Sequence, residues 1–254
     1  MSDNISEFTK ENIDLYFKEL SKEYKRLGGR NTPIEIVLIG GAAIIESYAF
    51  RNMTTDIDAI IPKLGIFKDA INFVGDKYGL PNGWLNADFM KTSSYSPFLP
   101  AYSKPYKTFN QVLNIRYVTG EYLIAMKLRS GRQYKNDLSD IAGILAEHKR
   151  QGHPITMEEI NEAIINLYGS WDGIDEKSIS FINAMLKDQK YEEAYIAIRD
   201  NEQSAKSMLI TFRDKYPGLL NENNVDSVIE NAAKKSESKE TVKAILEKLK
   251  KEQP

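Results

Sequence analysis

Residues 40–58 read GGAAIIESYAFRNMTTDID, and the runs on either side give that stretch its meaning. Upstream, IEIVLIG (34–40) is almost continuously apolar and rich in β-branched residues, which predicts a buried strand ended by Gly40-Gly41. AAIIESYAF (42–50) then predicts a compact helix. TTDIDAIIP (54–62) alternates in its first half and stops at Pro62, so it predicts a second strand. Successive side chains of a strand face opposite sides, which puts Asp56 and Asp58 on one face and turns Ile57 into the core. Two neighbouring carboxylates repel each other unless a cation joins them. Their hard oxygens suit Mg²⁺ or Mn²⁺, bound together with waters and phosphates. At Gly40-Gly41 the backbone can approach a phosphate chain closely, and the helix that follows offers N–H groups and a favourable dipole.

Taken singly, a glycine pair after a strand or a DxD triplet is usually a turn or a solvated edge. The order strand–GG–helix–strand–DxD, with fourteen residues between Gly41 and Asp56, is far more specific. It resembles the GG/GS-x(n)-DxD motif of the polymerase-beta-like nucleotidyltransferase superfamily. Within that superfamily the chain most resembles the minimal, AbiEii-type group, many of whose members belong to toxin–antitoxin or abortive-infection systems. A second block, EYLIAMKLRSGRQYKNDLSDIAGIL (121–145), resembles that group's downstream helix with a lysine, basic turn and D-x-x-D helix. Its matching positions are Lys127, Arg132, Lys135, Asp137 and Asp140.

The resemblance implies an α+β nucleotidyltransferase fold, a small mixed sheet flanked by helices. It also implies transfer of a nucleoside monophosphate from an NTP to an RNA (tRNA-like) or protein acceptor, with Mg²⁺ or Mn²⁺ on Asp56 and Asp58. Gly40, Gly41, Arg132 and Lys135 would bind the nucleotide, and Asp56, Asp58, Lys127 and Asp140 would be catalytic. A cognate antitoxin is an implied partner. The superfamily usually draws a third carboxylate from a later strand, whereas VLNIRYV (112–118) offers only Asn114; Asp88, Asp137 and Asp140 are the substitutes at hand. Two other readings follow: a degenerate nucleotidyltransferase fold used as a binding module, and an adenylyltransferase acting on a small molecule such as an antibiotic.

Outward from these blocks, Ile13, Tyr16, Phe17, Leu20, Tyr24 and Leu27 share one face of a predicted helix over about 9–28. Another helix is predicted over 66–78. Residues 81–110, with several prolines and scattered aromatics, carry no clear period. The aromatics there, Trp84 among them, are expected to pack a small satellite core rather than stack a base. From Thr156 on, everything reads helical, starting with a T-x-x-E capping box and continuing near 175–188, 191–215, 224–234 and 238–251. Strands mixed with helices, then helices alone, predict a catalytic domain over 1–150 and a helical domain over 151–254.

The net charge of −2 provides no overall positive field for nucleic acid. The chain has no cysteine, which excludes thiolate metal sites and a Cys nucleophile and fits a reducing cytoplasm. The acidic N-terminus lacks a signal-peptide pattern. No stretch approaches the roughly 18 apolar residues of a membrane span. His148 and His153 lack metal-ligand spacing, and the C-terminal lysines alternate with glutamates as on a solvated helix face.

Overall fold

The computed structural model describes residues 7–132, 136–220, 224, 225, 228 and 229. The chain divides into two compact units, one of Met1–Gly131 with Ile141–Tyr191, the other of Arg132–Asp140 with Glu192–Pro254.

The larger unit is built on a mixed sheet. Helix α1 (Lys10–Arg26) leads into β1 (Ile34–Leu38), α2 (Gly40–Ser47), β2 (Ile57–Ile60), α3 (Gly65–Tyr78) and β3 (Leu85–Asn86). Then β4 (Ser103–Phe109) and β5 (Leu113–Val118) form a hairpin, and α4 (Gly120–Ser130) follows at once. The strand order is β3-β2-β1-β5-β4, with β1 antiparallel to β2, β1 parallel to β5, β2 parallel to β3 and β4 antiparallel to β5. This is an α+β nucleotidyltransferase-type architecture, as the sequence predicts.

Residues opposite one another across paired strands share a face. Register therefore assigns Ile34, Ile36, Leu38, Ile57, Ala59, Leu85, Leu113 and Ile115 to one face, and all eight are buried. Ile13, Phe17, Leu20 and Tyr24 of α1, and Phe67, Ala70, Ile71 and Val74 of α3, are buried as well, at the spacing of one helical face. Each of the Val, Leu, Ile and Phe side chains among them contributes on the order of 1.5–3 kcal/mol. Register gives the other sheet face Glu35, Asp58, Asn86, Asn114 and Arg116, together with Val37, Ile60 and Val118.

The 81–110 stretch is more ordered than its sequence suggests. It contains β3, two short 3-10 turns and the edge strand β4. Trp84 belongs to the main core rather than to a satellite: it is buried, packs against Phe8 and Tyr16, and donates its indole N–H to Ile71 O at 3.0 Å. Phe89, Leu99 and Phe109 are buried too, while Phe98 remains exposed.

Three helices follow: α5 (Asp137–Arg150), α6 (Met157–Tyr168) and α7 (Glu176–Asp188). Thr156 and Glu159 make the capping box read from the sequence, with Glu159 N donating to Thr156 Oγ1 and Thr156 N donating to Glu159 Oε2.

The smaller unit is dominated by α8 (Tyr191–Lys215), whose first residue belongs to the larger unit. Leu209, Val225 and Val228 form its buried cluster, with Phe212, Leu220 and Ile229 packed against them. Glu202 of α8 accepts hydrogen bonds from Leu138 N and Ser139 N, so it caps the start of α5. The helix predicted over 238–251, and most of that over 224–234, lie outside the described residues. Among the described residues no helix is long and apolar enough to cross a membrane.

Candidate functional site

The strand–turn–helix–strand unit brings Gly40, Gly41, Asp56 and Asp58 to one end of the sheet. The antiparallel pairing Val37↔Ile60 and Leu38↔Ala59 continues into a bond from Ile39 N to Asp58 O of 3.0 Å, so Asp58 lies level with the end of β1. Asp58 is half-buried within β2, whereas Asp56 is exposed and stands one residue before the strand. Ile57 between them is fully buried, as the alternation predicts.

The two glycines act differently. Gly40 has φ +54°, the left-handed region, and opens α2. A Cβ placed on it would lie 3.7 Å from Asp58 Oδ2, an ordinary contact. Gly41 has no such φ but no room either: a Cβ there would lie 2.5 Å from Thr54 Oγ1 and 3.1 Å from an Nη of Arg51. Ile39, the residue preceding the helix, supplies no side-chain cap. The first N–H groups of a helix have no intrahelical acceptor, so this end is suited to an anion.

The segment that returns from α2 to β2 is fixed in place. Phe8 and Thr54 exchange two backbone hydrogen bonds of 2.8 and 2.9 Å, and Thr54 is buried. Arg51 donates from Nε to Met53 O at 3.0 Å. Sequence reading passed over Arg51 because it stands in a loop with no periodic neighbours; the signal lay in its place between the glycine pair and the acidic pair.

On the far side of β2, Asn86 pairs in register with Asp58. Asn86 also lines a cleft of about 860 Å³, together with Lys63, Lys68, Asn72, Asn82 and Trp84. That volume is within the range of small-molecule sites.

On β5 the register leads away from a third acid. Asn114 pairs with Glu35, and its Oδ1 accepts from Thr108 Oγ1 at 2.8 Å. The next β5 residue on that face is Arg116, level with Val37; it is hydrogen-bonded to Ser103 and lies 3.8 Å from Glu35. Asp88 is exposed and paired with Lys91 at 2.7 Å. Among the described residues no group of three or more His, Asp or Glu side chains is set to hold a metal ion. The donor set that remains is Asp58, whose Oδ2 lies 3.7 Å from the Cβ position of the Gly40 turn, and Asp56 one residue before the strand. It fits a hard divalent cation that keeps its waters and is shared with substrate phosphates.

The downstream block is distributed. Lys127 is on α4, only 8 % exposed, among Ile124, Met126 and Leu128. Arg132 of the smaller unit is held by Asp137 at 3.0 Å, and Asp140 is buried on the same helix. Lys135 lies outside the described residues. His148 accepts or donates at Nε2 with the Tyr48 hydroxyl at 3.0 Å, a structural contact that closes α2 against the end of α5. Burial pushes the Tyr48 phenol up.

A family model described as "Nucleotidyltransferase of unknown function (DUF6036)" matches residues 16–148, more than half of the chain. The match runs from within α1 to within α5 and includes the whole sheet, the glycine pair and both aspartates. No curated protein and no solved structure matches the chain.

Proposed function

Since the chain belongs to this family of nucleotidyltransferases of unknown function, we propose that it moves a nucleoside monophosphate from an NTP to a hydroxyl acceptor at the Gly40–Asp58 end of the sheet. The observation that carries this reading is the juxtaposition of an uncapped helix start at Gly40-Gly41 with Asp58, whose Oδ2 is 3.7 Å from the Gly40 Cβ position. The first turn of α2 receives phosphate oxygens on backbone N–H groups. Asp56 and Asp58 would hold Mg²⁺ or Mn²⁺, and the bound metal supplies charge neutralisation at the α-phosphate and lowers the pKa of an attacking hydroxyl. The side chains of this chain otherwise position: transfer of this kind depends on alignment and on pre-set charge. The cleft that Asn86 lines, mostly apolar and with Trp84 and Leu85 in its wall, would take the nucleoside or acceptor.

The acceptor in this reading is an RNA end or a protein hydroxyl, and the setting a toxin–antitoxin or defence module, as the likeness to AbiEii-type proteins suggests. Lys127 and Asp140 remain candidates for catalytic roles, and Arg132 and Lys135 for nucleotide contacts. Arg116 and Asn114 on β5, where the superfamily keeps an acid, favour one second reading: a fold that binds nucleotide without transferring it.

One experiment separates these. The protein is incubated with Mg²⁺ or Mn²⁺, each α-labelled NTP, and total tRNA or protein extract. Label should move to one acceptor class, and Asp58→Asn and Asp56→Ala should each lower transfer by at least a hundredfold. Because Asp56 is exposed, its loss should leave the melting temperature within about 2 °C of wild type. NTP binding without transfer would support the binding module; neither binding nor transfer would refute both.

A further inference from the structure

Asp58 has a different neighbour on each side. Its carbonyl accepts from Ile39 N at 3.0 Å, which places the Gly40-Gly41 turn on the β1 side, and Asn86 pairs with it in register on the β3 side. Adjacent strands lie about 4.8 Å apart, so Ile39 and Asn86 are roughly 10 Å from each other with the aspartate between them. We infer that the cleft lined by Asn86 is the acceptor site, and that Lys63 and Lys68 in its wall select an acceptor that carries phosphodiesters, the single-stranded end of an RNA. This rests on the nucleotidyl-transfer reading above.

Three observations carry it. First, the two sides of Asp58 suit the two ends of the reaction. Transfer at phosphorus proceeds with the attacking and leaving oxygens in line. With the triphosphate on the glycine side, pyrophosphate leaves toward α2, and the attacking hydroxyl arrives from the opposite side, where the cleft lies. Second, the cleft has the size and lining for a nucleotide unit. Its volume is about 860 Å³; Ile71, Trp84 and Leu85, all buried, give an apolar wall for a base, and the exposed amides of Asn72 and Asn82 suit a base's polar edge. Third, its charge has the sign of a phosphate binder. Lys63 and Lys68 line it against a single acid, Asp76. Both lysines are exposed, and among the described residues neither is ion-paired, whereas Lys77 of the same α3 pairs with Glu19 at 2.6 Å. Two cations against one acid repel a cationic small molecule, and an uncharged protein hydroxyl gains nothing from them.

In the transfer step the hydroxyl oxygen at the RNA end forms a bond to the α-phosphorus while the bond from that phosphorus to the α,β-bridging oxygen breaks. The electron pair leaves on pyrophosphate, and the hydroxyl proton passes to solvent. Lys63 follows Asp58 by five residues and lies beyond the end of β2, so it meets the acceptor away from the reacting hydroxyl. The two lysines hold phosphodiesters upstream of that hydroxyl and take no part in the bond exchange. They determine specificity: their contacts are the same in the ground and transition states, so they act on KM for the RNA and not on kcat.

The test uses the full chain as wild type, as the double variants Lys63→Gln/Lys68→Gln and Lys63→Arg/Lys68→Arg, and as Lys104→Gln, a control on β4 at the other edge of the sheet. Three readouts are taken: anisotropy of a labelled single-stranded RNA of about ten nucleotides across a salt series, calorimetry with each Mg²⁺-NTP, and transfer from α-labelled NTP to that RNA and to protein extract. The double glutamine variant should bind the RNA roughly tenfold more weakly, and its slope of log K against log salt should flatten by roughly 1.4, as for two lost phosphate contacts. KM for the RNA should rise with kcat unchanged, and NTP affinity should stay within about twofold. The double arginine variant should keep the wild-type slope, and Lys104→Gln should match wild type. RNA binding and KM that ignore the two lysines, or a larger loss of NTP affinity than of RNA affinity, would overturn the acceptor assignment and leave the transfer reading standing. Transfer to protein alone would do the same. NTP binding without transfer to either acceptor would overturn the assignment in favour of the binding module. If wild type binds no NTP and labels neither acceptor, both readings fall together.

Discussion

At the residue scale the glycine pair repays attention, because its two members resist substitution for different reasons. Gly40→Ala would force an L residue to φ +54° at a cost of about 1 kcal/mol, with no steric clash behind it. Gly41→Ala meets Thr54 Oγ1 at 2.5 Å, closer than atoms pack, and either Thr54 or the helix start has to shift. The expected loss is about 1–3 kcal/mol. Urea denaturation of Gly41→Ala, Thr54→Ala and the double variant checks the origin: the double should be more stable than the two single losses predict when added. Simple additivity would mean that Thr54 is not the obstacle. Close phosphate approach was the reading available from sequence, since glycine advertises the absence of a side chain but not which neighbour occupies the space. Arg51 went unread on similar grounds. A loop arginine acquires meaning only when the chain folds back and lays it against a turn ten residues earlier, and no local spacing encodes that.

At the element scale, legibility followed burial pattern. Helices α1, α3, α6 and α7 have one buried face each and β5 alternates over Leu113–Arg116, so their periods of 3.6 or 2 stand out in the sequence, whereas β1, buried at four of five positions, shows as a short continuous apolar run. Strand β4 shows neither pattern. SKPYKTF is buried only at its two ends, carries Pro105 between two lysines and shifts register between Pro105 and Lys107. Those are the features of an edge strand, where charge, proline and a bulge discourage further pairing. An edge strand therefore hides from a search for alternation by the same chemistry that keeps it an edge. Capping chemistry, by contrast, is local and was readable. Thr156 accepts from Glu159 N at 3.3 Å, and Glu159 returns the bond to Thr156 N at 2.8 Å. Thr156→Ala should cost about 1 kcal/mol, and Thr156→Ser close to nothing. Thermal denaturation of the two variants provides the measurement; equal melting temperatures would show that the box contributes nothing to α6.

At the scale of the whole molecule, each unit buries a carboxyl that folding holds toward its neutral form. In the larger unit this is Glu46, at the end of α2, whose pKa burial pushes up against the lowering effect of the Tyr106 hydroxyl. In the smaller unit it is Glu202, pushed up to about 7 by burial, and further by the charge of Asp140, against the lowering effect of the Leu138 and Ser139 N–H groups. The folded state thus binds these protons more tightly than the unfolded chain, whose glutamates titrate near 4.5. The stability this confers is complete below about pH 4.5 and is lost as the pH rises through about 7. Glu202→Gln keeps an oxygen to cap α5 and removes the titration. At pH 5 the variant should match wild type within about 0.5 kcal/mol. At pH 8.5 it should be the more stable by about 1–3 kcal/mol, since wild type must then hold a buried charge beside Asp140. Denaturant titrations at the two pH values decide it, followed by a probe within residues 192–220 so that the smaller unit is observed directly. A difference that is the same at both pH values would assign the effect to packing or hydrogen bonding, and would remove Glu202 as the origin of any alkaline loss of stability.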